Sequence, residues 1–244
     1  MVLFLAAALI AAAALAYPAW WLVGFVSDQP IHRVMHRVAM LVAFIGLIFI
    51  FKRWDVANKY ALGYGAPQRE FLRQLLIGLL VGAAMPGRVA LVATLGASGL
   101  LTGLVVALIE DTFFRGALFS AVRRESGTAL AIVLPSLLYA SVHFLGGRLH
   151  LPRDAVQWST GFEVLSKLLE KYTAPLELFD SFAALFAVGV LLSVVRIRTQ
   201  GIAACIGLHA AWVCTIKTVG AASTVDAGTP AGWIVGTYDG VIGW

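Results

Sequence analysis

The sequence predicts an all-α fold, a polytopic membrane helical bundle with about seven to eight transmembrane helices. The first observation behind this prediction is composition, because 60% of the 244 residues are hydrophobic and only 13% are charged. Soluble domains are closer to half apolar and a quarter charged. The second observation is a mean hydropathy of +0.88. The third is that the apolar residues fall into long runs separated by short charged stretches. We therefore expect lipid to surround most of the chain.

The individual spans follow from the length of each apolar run, since about 20 residues of helix cross a bilayer. The third run contains Pro86-Gly87-Arg88, which predicts a kink or a break in that helix. A last apolar segment, Trp233–Trp244, is short and rich in glycine, so both a re-entrant and an interfacial piece stay open. We expect one integral membrane domain over residues 1–244, with a motif-bearing core at about 98–218. The predicted spans lie near residues 2–26, 34–51, 71–95, 98–121, 128–145, 179–195 and 201–218.

The first run also resembles a secretory signal, because Ala14-Leu15-Ala16 has the small-residue pattern of a cleavage site. No positive residue precedes the run, however, and its apolar character continues to Val26. We therefore expect a first transmembrane helix rather than a peptide that is removed.

The basic residues lie mostly in the gaps between apolar runs, which predicts topology rather than a nucleic-acid partner. Positive-inside reasoning places the N-terminus in the cytoplasm and, with seven spans, the C-terminus outside. Arg33 and Arg37 fall on the outer side, together with the long loop 146–178. The residues on the cytoplasmic side are Lys52, Arg53, Lys59, Arg69, Arg123, Arg124, Arg196 and Arg198.

Three local patterns predict packing. Two Gly-x-x-x-Gly pairs, Gly78/Gly82 and Gly99/Gly103, predict close approach of helix backbones in lipid. Helical spacing of apolar residues in the long loop predicts an amphipathic helix on the membrane surface. Both cysteines lie in one apolar segment, so we expect buried free thiols rather than a disulfide. The apolar positions of the loop helix are Phe162, Leu165, Leu168 and Leu169, and the cysteines are Cys205 and Cys214.

Three ionisable residues, Glu110, Asp111 and Arg115, interrupt the fourth apolar run. A single charged side chain at a helix centre costs roughly 2.5–3.5 kcal/mol on insertion, so all three need partners or a water-filled cavity. Asp111 and Arg115 are four residues apart, a spacing that predicts a local ion pair on one helix face. Glu110 lies about 140° around an α-helix from Arg115, so its partner must come from another helix.

Two histidines, His143 and His209, are the candidate partners, and Tyr139 shares a helix face with the first of them. One glutamate and two histidines from three helices are compatible with two mechanisms for hydrolysing an acyl bond. The carboxylate takes a proton from a water held by a histidine, or all three side chains ligate zinc with water in the fourth position. Hydrogen bonds between helices, or a proton carrier in a transporter, remain alternatives for the same residues.

The motif Glu110-Asp111-x-x-x-Arg115-Gly116 resembles the EExxxR(G) signature of the CAAX prenyl protease and bacteriocin-processing group of intramembrane proteases, often called CPBP. Tyr139-x-x-x-His143 is similar to the FxxxH motif of that family, and His209 to its third histidine. The resemblance implies an intramembrane endopeptidase, CAAX prenyl protease 2-like, acting on a membrane-associated protein or peptide. It also implies an integral membrane protein of the bacterial inner membrane.

The resemblance further implies a role for each matched residue. Glu110 would activate the attacking water with His143, and His209 would help to stabilise the oxyanion. The family has been described both as metalloprotease and as glutamic protease, so Zn²⁺ on Glu110, His143 and His209 stays open. No HExxH is present, which excludes a zincin helix. The supporting residues are Asp111, Arg115, Tyr139 and Trp212.

Two positions depart from the family pattern. Asp111 replaces the usual second glutamate, which keeps the charge and the pairing with Arg115. Val213 stands where the third motif of the family, HxxxN or HxxxD, has a polar side chain, and loss of one oxyanion donor typically costs 10²–10³ in rate. Trp212 or Lys217 are the candidates to replace it. Two other functions therefore stay open: a non-enzymatic membrane protein that binds or protects against a partner such as a bacteriocin, and a proton-coupled transporter using Glu110, for which no inverted repeat is visible.

Overall fold

The structure, a computed structural model, describes residues 2–84, 97–145, 149, 151–173, 176 and 178–222. Within these residues all regular structure is helical and no strand occurs, which confirms the predicted all-α class. The helices are α1 (Val2–Val23), α2 (Ile31–Arg53), α3 (Gln68–Ala84), α4 (Ala97–Asp111), a π-helix (Thr112–Leu118), α5 (Phe119–His143), α6 (Thr160–Leu169), α7 (Phe179–Thr199) and α8 (Ala203–Ala222).

The described part of each predicted span contains helix, and the third span, 71–95, is described only as far as Ala84. Three helices there are long and apolar enough to cross a membrane, Leu3–Val23, Ile31–Arg53 and Phe179–Thr199, and Ala203–Lys217 is a shorter apolar helix. The chain is therefore an integral membrane protein, while the count of seven to eight spans stays a prediction. The predicted kink at Pro86-Gly87-Arg88 and the segment Trp233–Trp244 lie outside the described residues.

The chain divides into two compact units, one made of Met1–Arg53 and Val142–Leu178, the other of Trp54–Ser141 and Phe179–Trp244. In the first unit, α1 and α2 pack through an apolar core in which Met35 is fully buried. Helix α6 docks on α1 so closely that a Cβ at Gly161 would overlap the Ala13 carbonyl.

Helix α6 is the amphipathic helix expected in the long loop. Of its predicted apolar positions, Leu168 is buried with Val164 in the core of the first unit, and Leu165 is partly buried against that core. Phe162 and Leu169 are exposed, and their contact with a membrane surface stays a prediction.

The second unit is organised around α8, which packs against both α3 and α4. Small residues set these distances: a Cβ at Gly78 would overlap the Ala204 carbonyl of α8, and one at Gly103 would overlap the Ala210 carbonyl. In the other direction, a Cβ at Gly207 of α8 would overlap the Leu75 carbonyl of α3. Gly78, Gly82 and Gly103 thus act as predicted, as positions of close backbone packing. Cys205 and Cys214 are buried free thiols, as expected.

Helix α5 is interrupted at Gly127, where φ is 82° and ψ is 176°. This backbone conformation favours glycine because it has no Cβ. The break falls between the predicted spans that end at residue 121 and begin at residue 128. The first part of α5 therefore continues the helix that carries the acidic motif, and the second part carries Tyr139.

We predict that Gly78→Leu lowers the free energy of unfolding by roughly 1–3 kcal/mol, the usual cost of overpacking. The added side chain meets a backbone carbonyl of α8, which cannot move without displacing the whole helix. The measurement is thermal unfolding in detergent. Ala84→Leu, at an exposed position of the same helix, is the matched control, and equal melting temperatures for the two variants would contradict the close packing of α3 on α8.

Candidate functional site

The acidic motif lies where the helix changes its hydrogen-bonding pattern. Glu110 and Asp111 are the last two residues of α4, and the π-helix begins at Thr112. At its other end the Phe119 N–H bonds to the carbonyls of Gly116 and Phe114, three and five residues back. Single π-turns inside α-helices occur frequently at functional sites. The apolar periodicity of the sequence did not predict this turn.

His209 of α8 lies against both carboxylates of the motif. Its Nε2 is 3.8 Å from Oε2 of Glu110, and its Nδ1 is 3.4 Å from Oδ2 of Asp111. His209 and Asp111 are buried, whereas the Glu110 side chain is 27% exposed. The structure thus brings together Glu110 and a histidine from another helix. The contact between His209 and Asp111 was missed, because the sequence had already provided Asp111 with a partner in Arg115.

Asp111 and Arg115 form the ion pair that their spacing predicts, with 3.5 Å between Oδ1 and Nη1 and almost no exposure of either side chain. The Arg115 guanidinium also lies 4.3 Å from the centre of the Tyr139 ring. A cation over an aromatic face is stabilised by the negative π surface, and more strongly when it is desolvated. Arg115 therefore joins the motif helix to α5 as well as balancing the charge of Asp111.

The same tyrosine reaches His209, since the Tyr139 hydroxyl is 3.5 Å from Nε2 of the imidazole. A carboxylate can only accept, so Nδ1 of His209 carries a proton when it bonds to Asp111. Nε2 is then the nitrogen that faces Glu110 and Tyr139. In this orientation Nε2 of His209 is available for chemistry beside Glu110, while Nδ1 is held by Asp111.

Two residues of this neighbourhood were not predicted, Tyr64 and Thr112. The hydroxyl of Thr112 donates to the Leu108 carbonyl, so its single proton is used and the Tyr64 hydroxyl donates to Thr112. Burial raises the pKa of the Tyr64 phenol, and the nearby charge of Asp111 adds to the rise. No short-range sequence signal could indicate Tyr64, because it lies 48 positions from Thr112.

The other predicted residues are His143, Trp212 and Lys217. His143 is the last residue of α5 and belongs to the first unit. Trp212 packs against an apolar cluster of Leu192, Cys205 and Leu208, and Lys217 is exposed. The role proposed for Trp212 or Lys217 in place of a donor at Val213 stays a prediction.

The fit of a metal ion depends on three suitable ligands that lie close together. Among the residues that the structure describes, no group of three histidine, cysteine, aspartate or glutamate side chains could hold one. Catalytic zinc sites use three protein ligands and a water. The metalloprotease assignment is therefore not supported, and the ligation of zinc by Glu110, His143 and His209 stays a prediction, because His143 belongs to the other unit.

Comparison with known protein families gives one match. Residues 92–215 match the model of the family described as type II CAAX prenyl endopeptidase Rce1-like. The matched range contains the acidic motif, the π-helix, Tyr139, His143 and His209. No curated protein and no solved structure matches the chain.

We predict that Arg115→Met destabilises the folded protein by roughly 3–5 kcal/mol, because it leaves the buried Asp111 without its counter-charge. The double variant with Asp111→Asn should recover part of this loss, since the uncompensated charge is then gone. Both effects are measurable by thermal unfolding in detergent.

The matched control is Arg73→Met, which breaks the exposed ion pair between Arg73 and Glu70 and should cost less than about 1 kcal/mol. If Arg115→Met is no more destabilising than this control, the Asp111–Arg115 pair is not the stabilising contact described above.

Proposed function

The chain belongs to the type II CAAX prenyl endopeptidase Rce1-like family, and we propose that it hydrolyses a peptide bond of a membrane-associated protein or peptide through a water activated by Glu110. The contact of Glu110 with His209 is the observation that carries this proposal. A carboxylate and an imidazole from two helices, close together in an apolar bundle, are the groups that general acid–base hydrolysis requires.

The exposure of Glu110 separates its role from that of Asp111. Its side chain is 27% exposed while that of Asp111 is fully buried. Glu110 is therefore better placed than Asp111 to meet a water and a substrate carbonyl, although its Oε2, which faces His209, is buried. Asp111 is suited to orient His209 through Nδ1, as carboxylates do when they hold a histidine in one tautomer.

The proposed reaction needs one group that transfers protons and one hydrogen-bond donor for the oxyanion. The Glu110 carboxylate takes a proton from water, and the hydroxide oxygen bonds to the carbonyl carbon of the substrate. A protonated Nε2 of His209 donates to the oxyanion, as expected from the family resemblance. When the C–N bond breaks, Glu110 returns its proton to the leaving amine. His143 is proposed to help hold the water, and no step is routed through a metal.

The substrate class is proposed from the family name, which specifies CAAX prenyl peptides. Such a peptide ends in a prenylated cysteine followed by three residues, and its lipid group would keep it in the bilayer beside the bundle. The localisation proposed is the bacterial inner membrane, with the basic loops in the cytoplasm.

We predict that Glu110→Gln lowers kcat by at least about 10²-fold, because the amide cannot accept a proton. The shape of the side chain is conserved, so the melting temperature in detergent should be unchanged. The assay uses protein in liposomes and a CAAX peptide, with and without its prenyl group, and product is detected by mass spectrometry.

Glu125→Gln, which neutralises an exposed carboxylate of the same unit, is the control and should cleave like the wild type. Full activity of Glu110→Gln would exclude the mechanism. Equal cleavage of both peptides would retain the mechanism and exclude the prenyl group as a determinant.

We also predict that removing metals leaves kcat unchanged within about twofold, because a carboxylate rather than a metal ion activates the water in the proposed mechanism. The purified protein is dialysed against a chelator and assayed with and without added Zn²⁺. A loss of activity that Zn²⁺ restores would show that a metal takes part.

A further inference from the structure

We infer that Arg196 is a positioning residue for the Glu110–His209 site, because its guanidinium bonds the backbone carbonyl that the π-turn leaves without its helical donor. The inference rests on the proposed function, since it concerns the same site. Arg196 belongs to α7 and is not part of the acidic motif.

The argument begins with the carbonyl of Arg115. In an α-helix this carbonyl would accept from the N–H of Phe119, four residues later. That N–H instead bonds to Gly116 and Phe114. The Arg115 carbonyl accepts from Nε of Arg196, at 3.3 Å. Because a buried carbonyl needs a partner, the hydrogen bond from Arg196 stabilises the π-turn relative to a regular α-helix.

The preference of basic residues for the cytoplasmic side of a membrane does not explain why Arg196 is buried. A positive residue at a cytoplasmic helix end normally reaches the interface, and Arg198, two positions later, is exposed. Arg196 is only 7% exposed, and its guanidinium lies 6.0 Å from the centre of the Phe119 ring. A buried cation in such a position needs specific partners, and the Arg115 carbonyl and the Phe119 ring are two of them.

The segment 54–67 encloses the same turn from the other side. Gly63, with φ of 86°, lies beside the Arg196 side chain, and a Cβ there would come within 3.2 Å of Nε. The Gly63 carbonyl accepts from the Ile202 N–H, at 3.2 Å, at the start of α8. Four positions of the motif helix, spaced by four residues, meet this segment: Thr112 meets Tyr64, Gly116 meets Leu62, Ser120 meets Ala61, and Arg124 meets Trp54.

The π-turn determines which side chains of the motif helix face α5 and α8. If the Arg115 carbonyl took back the Phe119 N–H, the turn would become α-helical and the residues before it would rotate relative to α5 and α8. Arg115 would then turn away from the Tyr139 ring of α5, and Asp111 would be displaced from Nδ1 of His209 on α8. Displacement of reacting groups by about 1 Å can lower a rate by 10²-fold without any change in the groups themselves.

The test compares Arg196→Met, Arg196→Gln and Arg196→Lys with Arg198→Met as the control for charge and topology. Arg196→Met should lower kcat by about 10- to 100-fold and leave KM within about twofold, because substrate binding is not changed. Arg196→Gln keeps an N–H donor without the charge and Arg196→Lys keeps both, so each should recover part of kcat. Arg198→Met should behave as the wild type.

Hydrogen exchange provides a second readout that does not depend on activity. In Arg196→Met the amides of residues 112–120 should exchange faster than in the wild type, and in Arg198→Met they should not. Thermal unfolding in detergent identifies any variant that fails to fold, in which case Arg196→Gln and Arg196→Lys carry the test.

The inference is overturned if Arg196→Met keeps the wild-type kcat and exchange pattern. It is also overturned if Arg196→Gln is as impaired as Arg196→Met while Arg196→Lys is active, since charge rather than the hydrogen bond would then be required. Failure of the proposed function is distinguished by Glu110→Gln: if that variant cleaves, the mechanism is wrong, and the exchange of residues 112–120 still decides the role of Arg196.

Discussion

The buried contact of Asp111 with Arg115 and His209 is the interaction on which the rest of the second unit depends. Charges inside an apolar bundle are tolerated only when each has a partner at close range. Asp111 has two, a guanidinium on its own helix and an imidazole from α8. This requirement limits how far α4 can stand from α8, and small residues such as Gly103, Ala107 and Ala210 at their contact allow that distance. Gly103 packs on the carbonyl of Ala210, which follows His209 in the chain. The close packing of the two helices and the contact of His209 with Asp111 therefore occur at neighbouring positions of α8.

The sequence was sufficient for the helices and for the pair Asp111–Arg115, because both follow from short-range periodicity. It also indicated that Glu110 needs a partner from another helix, and the structure brings His209 to it. The π-turn could not be predicted, since a shift from four-residue to five-residue hydrogen bonds leaves the apolar pattern almost unchanged. Tyr64 and Arg196 could not be predicted either, because their contacts with Thr112 and Arg115 join parts of the chain 48 and 81 residues apart.

Arg196 illustrates the limit of reasoning from charge alone. As one of two arginines at the end of an apolar run, it fits the positive-inside rule as well as Arg198 does. Only the three-dimensional contacts separate them, because one side chain bonds a carbonyl inside the bundle and the other is exposed. The close packing of α6 on α1 shows the same limit, because it depends on the contact of Gly161 with the Ala13 carbonyl, which lies far away in the chain.

The charges of the site also bear on its chemistry. Two carboxylates and one guanidinium leave a formal excess of one negative charge when His209 is neutral. His209 Nε2 and Glu110 Oε2 lie 3.8 Å apart, so the second carboxylate lies beside the imidazole. A purely structural ion pair would have no need for the partly exposed carboxylate of Glu110, because the charges of Asp111 and Arg115 already balance each other. The exposure of Glu110 is therefore the feature that a hydrolytic site requires and that packing alone does not explain.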